Sequence, residues 1–299
     1  MRRMLSVCVF FCLTAVLLSG CAQTPKPSNT PLPVETLEPL ATPTPTPKPI
    51  KNPEGGILSA RFNPPPGYTR QAQAEGDFGA YLQALPLKSD GSPVLMFDGS
   101  ENPSAPQAAV LDISKTSQQQ GSRALVRLRA EYLFQTGQID RITYHFRSGF
   151  VFSFVKWCEG WRVNVDGQNV EWVKKADPSG DHDALLSYMN TLFAYSNTLS
   201  LQAELQPAQD PRIGDIFINT QSGAVMIVDM AVSDDGTGRV FLLAQSPTPT
   251  QDIYILRNDA DPALSPWYSA SGLSTLTTPD GSFAWGDLRR FDEQITDNN

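Results

Sequence analysis

Residues 214–231 read GDIFINTQSGAVMIVDMA. A short apolar run, Asp215 to Ile218, is followed by Asn219-Thr220-Gln221-Ser222-Gly223, a polar turn. A longer apolar run, Ala224 to Ala231, comes after it. The composition predicts a short strand, a turn and a long strand, because Val, Ile and Phe favour the extended chain while Asn, Ser and Gly interrupt it. Two further runs follow, RVFLLAQ (239–245) and DIYILR (252–257), and the turn residues SDDGTG (233–238) suit a tight antiparallel connection into the first of them.

Upstream of these strands lie helices. SRALVRLRAEYLFQTGQ (122–138) is the clearest of them, with Leu125, Leu128 and Tyr132 at helical spacing and Arg127 and Glu131 as an i,i+4 pair. DALLSYMNTLFAYSNTLSLQAEL (183–205) reads as one or two helices, and FGAYLQALPL (78–87) as a short one ending at Pro86. RITYHFRSG (141–149) alternates as a strand does. PVLMFDG (93–99) reads as a strand running into a turn, and WRVNVDGQNVEWV (161–173) as a hairpin about Asp166-Gly167. Helices followed by sequential antiparallel strands predict a single α+β domain over residues 56–295, with a tail at 296–299.

The N-terminus opens MRRMLSVCVFFCLTAVLLSGC, a basic start, an apolar run and small residues ahead of a cysteine. This is signal-peptide architecture over residues 1–20, and Leu18-Ser19-Gly20-Cys21 resembles the bacterial lipoprotein signal, in which Cys21 becomes the lipidated first residue. The apolar run is short for a membrane span. Acyl chains contribute ~0.8 kcal/mol per buried methylene, so a lipidated Cys21 predicts an extracytoplasmic protein held to the bacterial cell membrane. Residues 21–55 are rich in Pro and Thr and have no apolar period, as expected of an unfolded spacer. At ~3.1 Å per residue it reaches on the order of 90 Å.

Of the 4 cysteines, Cys8 and Cys12 leave with the signal and Cys21 carries lipid, so only Cys158 remains as a thiol and no internal disulfide forms. The net charge is -8, and losing a signal with two arginines and no acid makes the chain more acidic still. Nucleic acid is therefore not an expected partner. With 2 histidines and one remaining cysteine, no metal and no cofactor are expected. SDDGTG lacks the spaced acids and terminal Glu of a calcium loop, and a carboxylate pair for sugar hydrolysis stays open because such pairs have no spacing signature.

The stretches RFNPPPGYTR (61–70), YLQALPL (81–87), ALVRLRAEYL (124–133), AYSNTLSLQAEL (194–205), IGDIFI (213–218), VDMA (228–231), FLLAQS (241–246) and SPWY (265–268) together resemble a bacterial lipoprotein family, domain of unknown function 4846. The C-terminal third is also similar to the NlpC-type cell-wall peptidases, whose papain-like core starts a helix with a nucleophilic Cys. That core then presents a His at the start of a strand and an orienting polar residue on the next. A thiol there is activated by the helix N-terminus and the imidazole, and the His returns its proton to the leaving amine. The resemblance implies a papain-like α+β core with helices packed on an antiparallel sheet or partial barrel. It sets Gly121, in SQQQGSRALVRLRAEYL, at the cysteine position and Gly223 at the histidine position, with Gln245 as the retained orienter.

The reading that follows is an inactive hydrolase fold that binds cell-wall peptide or an envelope protein in a groove holding Ser122, Ser222 and Gln245. One alternative is an active amidase using other residues. Ser122, Cys158 and His145 are the candidates, although Ser122 also suits a helix cap, His145 and His182 suit structural roles, and Cys158 suits a small buried hydrophobe. The other alternative is a purely structural envelope lipoprotein. Trp157, Trp161, Trp172 and Trp267 suit the core better than an exposed stacking groove.

Overall fold

The apolar run that begins at Gly223 forms an eleven-residue strand, Gly223–Ser233, and the rest of the fold is arranged about it. The structure, a computed structural model, describes residues 48–269 and 274–292. The signal segment, Cys21, the linker up to residue 47 and the tail lie outside the described residues. Among the described residues no helix is long and apolar enough to cross a membrane.

In chain order the first elements are α1 (Leu58–Arg61), β1 (Tyr68–Arg70), α2 (Phe78–Gln83), β2 (Gln107–Val110) and α3 (Ser122–Gln135). Then come β3 (Thr143–His145), β4 (Val151–Ser153), α4 (Phe154–Cys158), β5 (Trp161–Asp166), β6 (Asn169–Lys174), α5 (His182–Tyr195) and α6 (Thr198–Ala203). The chain continues through β7 (Leu205–Pro207), β8 (Ile216–Asn219), β9 (Gly223–Ser233), β10 (Arg239–Gln245) and β11 (Tyr254–Leu256). It ends with β12 (Tyr268–Ser269), β13 (Thr275–Thr278), β14 (Gly281–Ala284) and β15 (Leu288–Phe291).

Nine strands make one sheet in the order β2-β11-β10-β9-β8-β15-β7, with β1 added to the far end of β9 and β12 to β10. Every pairing within it is antiparallel. The sheet is apolar on both faces. Ile216, Ile218, Ala224, Met226, Val228, Leu242 and Ala244 face a core shared with α3 and α5. Phe217, Val225, Ile227, Phe241 and Leu243 pack with Leu276 and Phe283 of the β13–β14 hairpin. Alternation sends successive side chains to opposite faces, so a strand covered on both sides reads as one continuous apolar run.

A bulge interrupts the register between Leu242 and Leu243, opposite the step from Asp229 to Ile227. An extra residue shifts every later side chain to the other face. Val228 and Asp229 both turn to the helical side, and Met230 takes up the opposite face. Asp229 is fully buried there, holding Arg70 at 2.8 Å and Gln83 of α2 at 2.8 Å. This contact ties β1 and α2 to the middle of the sheet.

The segment between α3 and α5 carries its own aromatic cluster. Phe152 stacks on Tyr188 at 4.4 Å and on Trp172 at 5.3 Å, with Trp157 edge-on at 5.7 Å. Trp267 is fully buried, and its indole N–H donates to the Asn63 carbonyl at 2.9 Å. Trp161 donates to Glu159 at 3.2 Å beneath the Lys174 ammonium.

Several expectations shift. PVLMFDG forms no strand; it makes isolated bridges, Leu95 to Glu101 and Met96 to Gln251, and turns back at Gly99, whose N–H donates to the Met96 carbonyl at 3.1 Å. The β5–β6 turn is Gly167-Gln168, since Asp166 pairs with Asn169. The 183–205 stretch resolves into the two helices α5 and α6, broken at Ser196-Asn197, where Asn197 caps α6 in a reciprocal pair with Ser200, and its last residue, Leu205, starts β7. Ordered packing begins ahead of residue 56: Lys51 pairs with Phe62, and the Asn63 N–H donates to the Ile50 carbonyl at 2.7 Å.

Candidate functional site

A cavity of about 400 Å³ opens at the end of the sheet where β9 begins and β10 ends. On one side stands the N-terminus of α3, with Gly121, Ser122 and Arg123, and next to it the start of α6 at Asn197 and Thr198. Its floor is the β8–β9 turn, Thr220 to Ala224. On the other side lie Gln245 and Asp280, the latter in the β13–β14 turn. The glycines at 121 and 223 thus line the same space, as do Ser122, Ser222 and Gln245.

The start of α3 is fixed by its backbone. The Gly121 N–H donates to the Ser246 carbonyl at 2.6 Å, and Gln120 Oε1 accepts from the Thr250 hydroxyl at 3.0 Å. Gly121 has φ 58 and ψ -134, a conformation open essentially to glycine. Gly223 has φ 78, also on the left-handed side. A Cβ built at either position meets nothing within 4 Å, so both point into open space. Backbone conformation, not lack of room, is what favours glycine at these two places.

Ser122 is the first residue of α3, one position inside the helix, and Gly121 stands at the cap without a side-chain bond. The capping role expected of Ser122 is therefore not taken up. Ser222 is committed to the neighbouring hairpin: its hydroxyl donates to the Ser282 carbonyl at 2.8 Å and accepts from the Ser282 N–H at 3.0 Å. Gln245 is hydrogen-bonded to two side chains. Its Nε2 donates to the Tyr254 hydroxyl at 2.8 Å and to the Asp280 carboxylate. Burial pushes the Tyr254 phenol up, so it stays neutral beside Asp280.

Arg123 donates to the Ser196 carbonyl at 2.6 Å. Burial lowers its pKa, from so high a starting value that the guanidinium remains charged.

The hairpin turn sits so close to the floor that Gly281 has no room for a side chain. A Cβ there meets the Ser222 hydroxyl and lies 3.2 Å from the Ser222 Cα. Gly281→Ala is expected to lift the turn off the β8–β9 turn and widen the cavity. Hydrogen exchange at the Ser282 amide should rise at least tenfold, with little change in global stability; unchanged exchange would refute the contact.

No histidine or cysteine is among the described residues lining the cavity. His145, in β3, has its Nδ1 3.0 Å from both Glu204 oxygens and its backbone N–H on the same carboxylate. His182 opens α5 and faces Glu131 at 3.0 and 2.9 Å. Cys158 ends α4, half-buried, and burial raises its thiol pKa. None of the four tryptophans expected in the core lines the cavity either.

Glu204 holds the imidazolium of His145 above the usual histidine range, against the opposing effect of burial. A raised folded pKa gives stability that is full below the unfolded value near 6.5 and is lost as pH rises through the folded value. His145→Gln should therefore be most destabilising near pH 5.5 and close to neutral at pH 9, in denaturant melts compared with the parent. A penalty independent of pH would refute it.

The Asp235 carboxylate in the SDDGTG turn accepts from Ser233, Thr237 N–H and the Thr237 hydroxyl, so the turn consumes its own acid. Among the described residues no group of three or more His, Cys, Asp or Glu is placed to hold a metal ion.

A family model described as domain of unknown function (4846) matches residues 58–290. The chain belongs to that family. The match begins at α1 and ends within β15, so the family's domain contains all the elements that build the cavity. No curated protein and no solved structure matches the chain.

Asp280 escaped the sequence reading. It lies in a Pro-Asp-Gly turn like any other, and only the bond from Gln245, 35 residues away, marks it as part of the cavity.

Proposed function

We propose that this chain is an extracytoplasmic lipoprotein, tethered by a lipidated Cys21 and the Pro/Thr-rich spacer, that binds cell-wall peptide in the cavity between α3 and the β13–β14 turn. Its core is papain-like in the NlpC manner, without the reactive pair. A single observation carries the reading: Gly121, Gly223 and Gln245, set by resemblance at the three working positions of such a core, line one cavity with no thiol and no imidazole among its described lining residues.

The order of parts supports it. A helix start, a strand start and a strand end meet there, as nucleophile, base and orienter require. Ser122 lines the cavity, but a hydroxyl needs a base to attack an amide, and the carboxylate at hand, Asp280, is held by Gln245. The lining is mainly amides and hydroxyls, which suits peptide N–H and C=O groups.

The test uses the full chain in detergent, sedimented with purified, insoluble cell wall. Retention without release of soluble fragments is expected. Sustained release of fragments that is lost in Ser122→Ala would replace this reading with an active hydrolase. Failure to bind either the insoluble wall or the soluble peptides cut from it would leave a structural lipoprotein.

A further inference from the structure

We infer that the cavity recognises a short peptide with both termini free, taking its ammonium group at Asp280 and its carboxylate at Arg123. This rests on the reading of the cavity as a binding site and adds the charge pattern of the ligand: wall peptide in its released form, since an amino terminus still joined to the glycan is an amide and carries no ammonium.

Among the described residues lining the cavity, Arg123 and Asp280 alone are charged. They belong to different walls: Arg123 is in the first turn of α3, which packs on one face of the sheet, and Asp280 is in the hairpin that covers the other. They do not neutralise each other. The guanidinium reaches the Ser196 carbonyl, and the carboxylate accepts from Gln245. Two opposite charges facing one cavity without pairing form a complementary field for a ligand with the reverse arrangement.

Both charges are held in advance. Gln245 is itself anchored on Tyr254, its neighbour across the β10–β11 pair, so the amide fixes Asp280 from a rigid strand. Preorganised polar groups lose little freedom on binding, which favours affinity. Gln245 is accordingly a positioning residue for the carboxylate, in place of the imidazole it would orient in an active core. Between the two charges the lining is uncharged and polar, with Gln120, Asn197, Thr198, Gln221 and Thr248 available to amide groups. The volume, about 400 Å³, falls in the ordinary range for small ligands.

The experiment titrates the full chain in detergent with trialanine, N-acetyl-trialanine and trialanine amide by calorimetry. Each cap should weaken binding about tenfold or more, equivalent to ~1.4 kcal/mol. Asp280→Asn should erase the penalty of the acetyl cap alone. Arg123→Gln should erase that of the amide cap alone, and Arg123→Lys should restore it. Gln245→Ala should shrink the acetyl penalty and leave the amide penalty intact, which a merely structural effect would not do.

Cap effects below about twofold, penalties that fall together in every variant, or no binding of trialanine at millimolar concentration would overturn the inference. Cell wall retained by a protein that ignores the caps would remove the charge pattern and keep the proposed function. Cap-dependent trialanine binding by a protein that binds neither the wall nor the soluble peptides cut from it would do the reverse.

Discussion

Glu131→Gln will lower the stability of the fold by about 3–5 kcal/mol, the usual cost of leaving a buried charge without its partner. Arg127 is fully buried in α3, and its guanidinium meets the Glu131 carboxylate at 2.6 Å, one helical turn away. On an exposed helix face such an i,i+4 pair contributes only about 0.2–0.5 kcal/mol. Here the guanidinium is fully buried, and it otherwise reaches a neutral amide, Gln119 Oε1 at 3.2 Å. The neutral amide keeps the shape and a hydrogen-bond acceptor but removes the charge.

Arg127→Met combined with Glu131→Leu should be far less costly than either single change, because it removes both charges from the interior. Denaturant midpoints of the three variants decide the matter. A single-variant loss under about 1 kcal/mol would show that the guanidinium finds solvent.

Gly121→Cys with Gly223→His, installed together, will fold with a loss of roughly 2–4 kcal/mol and will not cleave cell-wall peptide. Room is not the obstacle, since a Cβ at either place meets nothing within 4 Å. The cost lies in the backbone. Holding a side-chain-bearing residue on the left-handed side costs roughly 1–2 kcal/mol, and more in the sparsely populated region that Gly121 occupies at φ 58, ψ -134.

Catalysis also needs the imidazole to be held by a third group, and Gln245 is engaged with Tyr254 and Asp280. Releasing the amide by Asp280→Ala in the same background is the partner variant. Turnover by the first variant, measured as soluble peptide released from wall, would mean that the surrounding geometry is still competent.

The long strand was legible because burial on both faces leaves an unbroken apolar run from Ala224 to Met226 and beyond. The bulge within it was not, because the partners that Asp229 meets there, Arg70 and Gln83, lie more than 140 positions earlier in the chain. α3 was legible in extent, but its spacing could not tell that Arg127 and Glu131 point inward. β15 gave no signal at all. Its Leu-Arg-Arg-Phe run follows neither strand nor helix periodicity, and it is a strand only because it fills the gap between β8 and β7. At the cavity, Gly121 and Gly223 stood out as departures from a resembled pattern, whereas the left-handed backbone that suits them to glycine is visible only in three dimensions.

A sheet greasy on both sides has a mechanical consequence at its rim. α3 is rooted in one oily layer through Leu125 and Leu128, and the β13–β14 hairpin in the other through Leu276 and Phe283. The cavity is therefore a pair of jaws with independent roots. The lower jaw's tip is latched by polar contacts, Ser222 with Ser282 and Gln245 with Asp280. The Ser222–Ser282 bonds contribute about 1 kcal/mol net each, and the bond to the Asp280 carboxylate about 1.5–3 kcal/mol. Only loss of those latches would free the tip while Phe283 stays seated, so the placement of Asp280 is set by a few hydrogen bonds and not by the core.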